Sequence, residues 1–136
     1  MKKSLLHEAL RIARRNVRNH PERNNFIHFT FIVQDNKIVE WGVNNSRIPP
    51  VHYGYNSRLS NAGYQAKTHS EIDAYRRGRD LLSGSGWSVI NIRLNRAGEV
   101  RVSKPCECCS GILLSLGCTH VHWTDGSGSF VRNDVA

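Results

Sequence analysis

No stretch of this chain approaches the roughly 20 consecutive apolar residues that a membrane-spanning helix needs. The segment from Met1 to Arg15 carries charges where a secretory leader would hold its apolar core. A cytoplasmic protein with no membrane partner is the expectation. Cysteine is scarce: there are four, three of them clustered (Cys106, Cys108, Cys109) and Cys118 apart. That distribution argues against a disulfide framework and suits a metal site. Acidic residues are outnumbered, 11 against 19 Lys and Arg, for a formal net charge of +8. Seven of the basic residues lie before Asn24, opposed there by Glu8 and Glu22 alone. Such a face attracts nucleic acid or phosphorylated small molecules, or simply solvates a helix. Internal repeats and low-complexity tracts are absent as well, and 136 residues suffice for a single domain, 1–136, with one buried core.

Along the chain, Leu5, Leu6, Ala9, Leu10, Ala13 and Val17 recur at helical spacing, which predicts a helix capped by Ser4 and ended by His20-Pro21. Phe26 to Val33 is aromatic and β-branched and reads as a strand, turned by Gln34-Asp35-Asn36 into a second strand, Lys37 to Asn44. From Asn45 to Lys67 no period holds, and Pro49, Pro50, Gly54 and Gly63 stand among His52, Tyr53, Tyr55 and Tyr64. This reads as a loop that closes over a substrate. A helix follows from His69 to about Leu82, with Ile72, Tyr75, Leu81 and Leu82 inward. Next come a strand from Trp87 to Asn95, a short extended Val100-Arg101-Val102, a helix near Pro105 ending at Gly117, and a strand His120 to Thr124. Phe130-Val131 either extends the sheet or begins a tail. The order α-β-β-α-β-α-β argues for a layered α/β domain of mixed strand direction.

The chemistry concentrates in two helix starts. His69-Ser70-Glu71 opens one and Pro105-Cys106-Glu107-Cys108-Cys109 the other, with 33 residues between Glu71 and Pro105. His69, Cys106 and Cys109 supply three zinc ligands, which leaves the fourth tetrahedral position open as catalytic zinc sites do. Cysteines three apart share a helix face, and the helix N-terminus favours thiolate. Glu71, two positions past His69, can stand beside the metal without binding it and move the protons of a zinc-activated water. These residues predict a zinc hydrolase.

The same motifs resemble those of the zinc-dependent cytidine/deoxycytidylate deaminase superfamily, with a signature of His-x-Glu followed by Pro-Cys-x-x-Cys. A weaker match is Trp41-Gly42-Val43-Asn44, similar to that family's Gly-x-Asn at a strand end. The resemblance implies a three-layer α/β/α fold around a mixed five-stranded sheet, zinc on His69, Cys106 and Cys109, and Glu71 as catalytic proton shuttle. It also implies substrate contacts from the Asn44 side chain to the sugar, the Ser70 backbone N–H to the base carbonyl, and the Lys104 main-chain carbonyl to the exocyclic amine. Dimers or larger homo-oligomers are common in that family. Ser70 departs from the family's usual alanine between His and Glu. The implied reaction converts the cytosine of a (deoxy)cytidine nucleotide to uracil with release of ammonia.

The rival substrate is single-stranded DNA or RNA, favoured by the basic balance and the aromatic loop. The nucleotide is preferred because the chain is compact and Arg47, Arg58, Lys67 and Lys104 could take a phosphate. Adenosine in RNA is a further alternative. The non-enzymatic rival is a structural Cys₂His₂ cluster of Cys106, Cys109, His120 and His122, although one residue between histidines is short of the usual three to five. His120 and His122 read more simply as strand residues.

Overall fold

The computed structural model describes residues 1–18, 20, 26–44, 69–84, 86–105 and 107–134. The anticipated substrate loop, Asn45 to Lys67, and the expected ligand Cys106 lie outside them.

Helix α1 (Lys3–Val17) buries Leu5, Ala9, Ala13 and Val17 along one stripe, as its spacing dictates. The expected Ser4 cap is not made: Lys2 holds the extended N-cap conformation without a side-chain cap, and Ser4 falls inside the first turn. Strands β1 (Phe26–Gln34) and β2 (Lys37–Val43) pair antiparallel, with Gln34 opposite Lys37. Asp35 and Asn36 join them with φ of 53° and 60°. Two left-handed residues in a two-residue hairpin loop match the strands' twist, and Asp and Asn tolerate that region.

Helix α2 (Ser70–Gly78) tightens into a 3₁₀ turn, Arg79–Leu81. That change of winding points Leu81 outward, 62% exposed, against the inward orientation its spacing suggests, while Leu82 packs against the core. Strand β3 (Trp87–Asn95) precedes the two-residue β4 (Val100–Arg101). Helix α3 (Glu107–Ser115) leads to β5 (Cys118–Thr124), and β6 (Phe130–Asp134) takes the sheet-forming role of the two alternatives open in the sequence.

The sheet runs β2-β1-β3-β5-β6, with β4 added alongside β3. Among the described strands only β3 and β5 are parallel, joined through the α3 crossover, and the other pairings are antiparallel. Strand periodicity sorts the two faces. Ile27, Phe29, Phe31, Val33, Ile90, Ile92 and Leu94 pack with α1, whereas Ile32, Trp87, Val89 and Val121 pack with Ala74 of α2 and Leu113 of α3. This is the expected three-layer α/β/α arrangement, with a five-strand path and one extra short strand. No helix among the described residues is long and apolar enough to cross a membrane.

Helix α2 lies against β2 at a point only glycine allows. A Cβ on Gly42 would fall 2.7 Å from Asp73 Oδ2 and closer still to the Ala74 backbone nitrogen. Asp73 then accepts from the Val43 N–H at 3.0 Å and from Arg77 at 3.0 Å. Its place in the first turn of α2, beside Glu71, also suits the helix dipole. The start of α2 is thereby fixed to the sheet.

Candidate metal centre

On the face carrying α2 and α3, the chain brings together His69, Glu71 and Cys109. One potential ligand atom from each lies within 4.8 Å of the others. His69 occupies the N-cap of α2 in extended conformation, so its side chain leaves the helix end rather than the barrel. Cys109 sits in the first turn of α3, fully buried, and packs with Ile72 of α2 and Ile112. These apolar contacts hold the two helix starts side by side.

The donor set and spacing fit zinc. His69 Nδ1 and Cys109 Sγ stand 3.4 Å apart. Zinc bonds of about 2.0–2.1 Å to nitrogen and 2.3 Å to sulfur, at a tetrahedral angle, put those atoms about 3.6 Å apart. Imidazole and thiolate are the donors zinc selects. The cluster thus fits a zinc site.

Glu71 is 6% exposed, and a buried carboxylate is costly unless its oxygens are hydrogen-bonded. Asn91 Nδ2 of β3 donates to Glu71 Oε1 at 3.0 Å, and Ser70 Oγ lies 3.4 Å from Oε2. Asn91 Oδ1 accepts from Thr30 Oγ1 of β1 at 2.7 Å, and Ser70 Oγ is 2.8 Å from the same hydroxyl. Thr30 and Asn91 are direct partners across the β1–β3 ladder.

A second polar knot carries the chain toward α3. Ser103 Oγ donates to the Asn91 main-chain oxygen at 2.7 Å and accepts from the Thr124 N–H at 2.7 Å. The Ser103 N–H in turn donates to the Thr124 oxygen at 2.9 Å. The detour through β4 therefore returns to the sheet between β3 and β5, and delivers Lys104-Pro105 to the start of α3.

Of the residues expected at the site, His69, Glu71 and Cys109 meet. Ser70 is buried beside them. Lys104 is exposed, with Nζ 5.7 Å from the centre of the Trp123 ring. Asn44 ends β2: its Oδ1 accepts from the His28 N–H at 3.0 Å, and its N–H donates to the His28 oxygen at 3.2 Å. Thr30, Asn91 and Ser103 were not anticipated. The available hint was Asn91, a polar residue of low strand propensity between Ile90 and Ile92.

His120 and His122 do not join the cluster. Strand alternation puts them on the face opposite Val121, away from Cys109. There they line a cavity of about 270 Å³ with Ser88 and Arg132. The Cys₂His₂ alternative fails for that reason, since the sheet stands between the pair and Cys109. Burial pushes the His122 imidazole below the usual histidine value, and the amino-terminal charge, Arg132 and His120 push the same way. Burial likewise raises the Cys118 thiol to about 12, a protonated core cysteine rather than a ligand.

No family model matches the chain, and no curated protein does. Solved structures do. A cytidine deaminase from Burkholderia pseudomallei superposes with a TM-score of 0.58 at 18% identity, over 95% of this chain and 92% of that one. A dCMP deaminase from the cyanophage S-TIM5 in apo form gives 0.57 at 15% identity, covering 93% and 87%. The same phage enzyme in complex with dCMP and dUMP gives 0.57 at 14%, covering 93% and 85%. At these identities the likeness establishes the fold.

Proposed function

We propose that this chain is a zinc-dependent hydrolytic deaminase that converts the cytosine of a (deoxy)cytidine nucleotide to uracil and ammonia. The observation that carries the reading is the convergence of His69, Cys109 and the buried Glu71 at two helix starts, on one face of a cytidine-deaminase fold. The nucleotide preference is supported by the phage dCMP deaminase, whose structure holds dCMP and dUMP.

His69 and Cys109, with Cys106 from the same motif, would hold the zinc. When bound, zinc lowers the pKa of a coordinated water toward 7 and so makes a nucleophile available at neutral pH. Glu71 is the proton carrier. It takes one proton from the attacking water and gives it to N3 of the base as the C4–O bond forms, then takes the remaining proton of the new C4 hydroxyl and passes it to the exocyclic amine as the C4–N bond breaks. Water and cytosine are consumed; uracil and ammonia leave. In this reading the Ser70 backbone N–H would donate to the base carbonyl, and the Lys104 main-chain oxygen would accept from the amine. Asn44 spends its Oδ1 on β1, and in this reading its Nδ2 would donate to a sugar hydroxyl. The same reading includes a cytoplasmic location and assembly into homo-oligomers, the latter measurable by sedimentation.

The test is turnover of a panel: cytidine, CMP, dCMP, dCTP and a cytosine-containing single-stranded oligonucleotide, read as ammonia or base conversion. Conversion of the free nucleotides is the expected result. Conversion of the oligonucleotide alone, with steep salt dependence, would move the assignment to a polynucleotide deaminase. No conversion of any member, in protein carrying zinc, would reject cytosine deamination.

A further inference from the structure

Glu71 lies close enough to the other two donor atoms to be a ligand itself, all three being within 4.8 Å. A carboxylate that closes on the cation stops being a proton carrier and fills the position that water needs. Something must hold it back.

The hydrogen-bond directions identify what does. Asn91 is 3% exposed and Thr30 fully buried. Thr30 has one hydroxyl proton and two oxygens within reach, Asn91 Oδ1 at 2.7 Å and Ser70 Oγ at 2.8 Å. An amide oxygen can only accept, so the Thr30 proton goes to Asn91, and the Ser70 hydroxyl is left to donate toward Thr30 or Glu71. The other end of the amide is fixed by two groups that can only accept: Nδ2 faces Glu71 Oε1 at 3.0 Å, with the Ser103 main-chain oxygen at 3.4 Å as its second acceptor.

We propose that Asn91, oriented by Thr30, is a positioning residue that tethers Glu71 as a proton carrier and keeps it from becoming the fourth metal ligand. The inference rests on the deaminase reading of the site. A neutral amide suits the task, because it grips one carboxylate oxygen without adding a cation beside the metal. Its place in the middle of β3, paired on both sides, makes the grip rigid in a way a loop residue could not match. Thr30 acts one step further out: its hydroxyl proton holds the amide oxygen and so keeps the Asn91 side chain in place.

The experiment uses the full chain and three variants, Asn91→Ala, the near-isosteric Thr30→Val, and Asn91→Ala combined with Glu71→Ala. Kinetics are read on zinc protein and absorption spectra on cobalt(II)-loaded protein, whose visible bands report the ligand set. In Asn91→Ala, kcat is expected to fall about 10–100-fold, the range typical for groups supporting a metal site, with KM within about twofold. Its cobalt spectrum should depart from wild type and return toward it in the double variant, because the freed Glu71 is the new ligand. Thr30→Val, which keeps the core volume, should shift both readouts in the same direction by less. An Asn91→Ala cobalt spectrum identical to wild type, or kcat kept within about twofold in both single variants, would overturn the proposal. If wild type converts no member of the substrate panel, the deaminase reading fails by itself, while the cobalt spectra still judge the tether.

Discussion

His69 Nδ1 and Cys109 Sγ stand 3.4 Å apart although 40 residues separate them in the chain. The pair joins two helices that share apolar contacts through Ile72 and Ile112. Removing either donor should therefore cost metal before it costs fold. His69→Ala and Cys109→Ala are each expected to lower zinc content well below one ion per chain and to abolish turnover. Glu71→Ala should abolish turnover while zinc stays near one per chain. Metal analysis of the purified variants checks this, and zinc loss in Glu71→Ala would recast that residue as a ligand.

In the proposed reading Asn44 has two separable duties. Its Oδ1 accepts the His28 N–H, a bond whose loss costs about 1 kcal/mol. Asn44→Ala should lose both this bond and the sugar contact. Asn44→Asp keeps an acceptor for His28 but removes the amide donor, so it should hold stability near wild type while turnover of nucleotides falls. Denaturant midpoints and kcat/KM, measured side by side, separate the two.

Gly42 is the point where β2 and α2 nearly touch. A methyl group there meets the helix backbone, which has little room to yield. Gly42→Ala is expected to destabilise the protein by about 1–3 kcal/mol, the usual cost of overpacking, and to lower zinc affinity by displacing the start of α2. Guanidinium unfolding and a competitive zinc titration provide the measurements.

Acid should weaken the fold partly through His122. Burial lowers its proton affinity in the folded chain, whereas in the unfolded chain it protonates near 6.5. The unfolded state then binds more protons as pH falls through 6.5, so stability drops in that direction and is regained above it. His122→Phe should flatten the stability profile between about pH 5 and 7. Urea midpoints across that range give the answer.

The site's ends were legible and its middle was not. His-x-Glu and Pro-Cys-x-x-Cys announce themselves because zinc chemistry demands rare residue types at fixed helical spacing. The apolar stripes of α1 and β1 were equally plain, since burial imposes a period. Thr30 escaped notice because a β-branched residue in Phe29-Thr30-Phe31 fits any strand. Ser103 and Thr124 are ordinary loop and strand residues until the β4 detour folds back between β3 and β5. Leu81 misled because its spacing holds only while the helix keeps its α winding, which stops at Gly78. Pairwise meetings of this kind are set by strand register, a quantity that sequence periodicity does not encode.

That register has a consequence for the order of assembly. Thr30 and Asn91 face the same layer only because β1 and β3 align as they do, and a shear of one residue would send one of them to the α1 side. They stand 61 positions apart, so their meeting waits for distant parts of the chain to find each other, the slow class of folding event. A nascent chain that has not yet made β3 has no amide to discipline its glutamate. In the proposed reading, competence for chemistry is acquired late, when the sheet locks, rather than when the first candidate metal-binding side chains emerge.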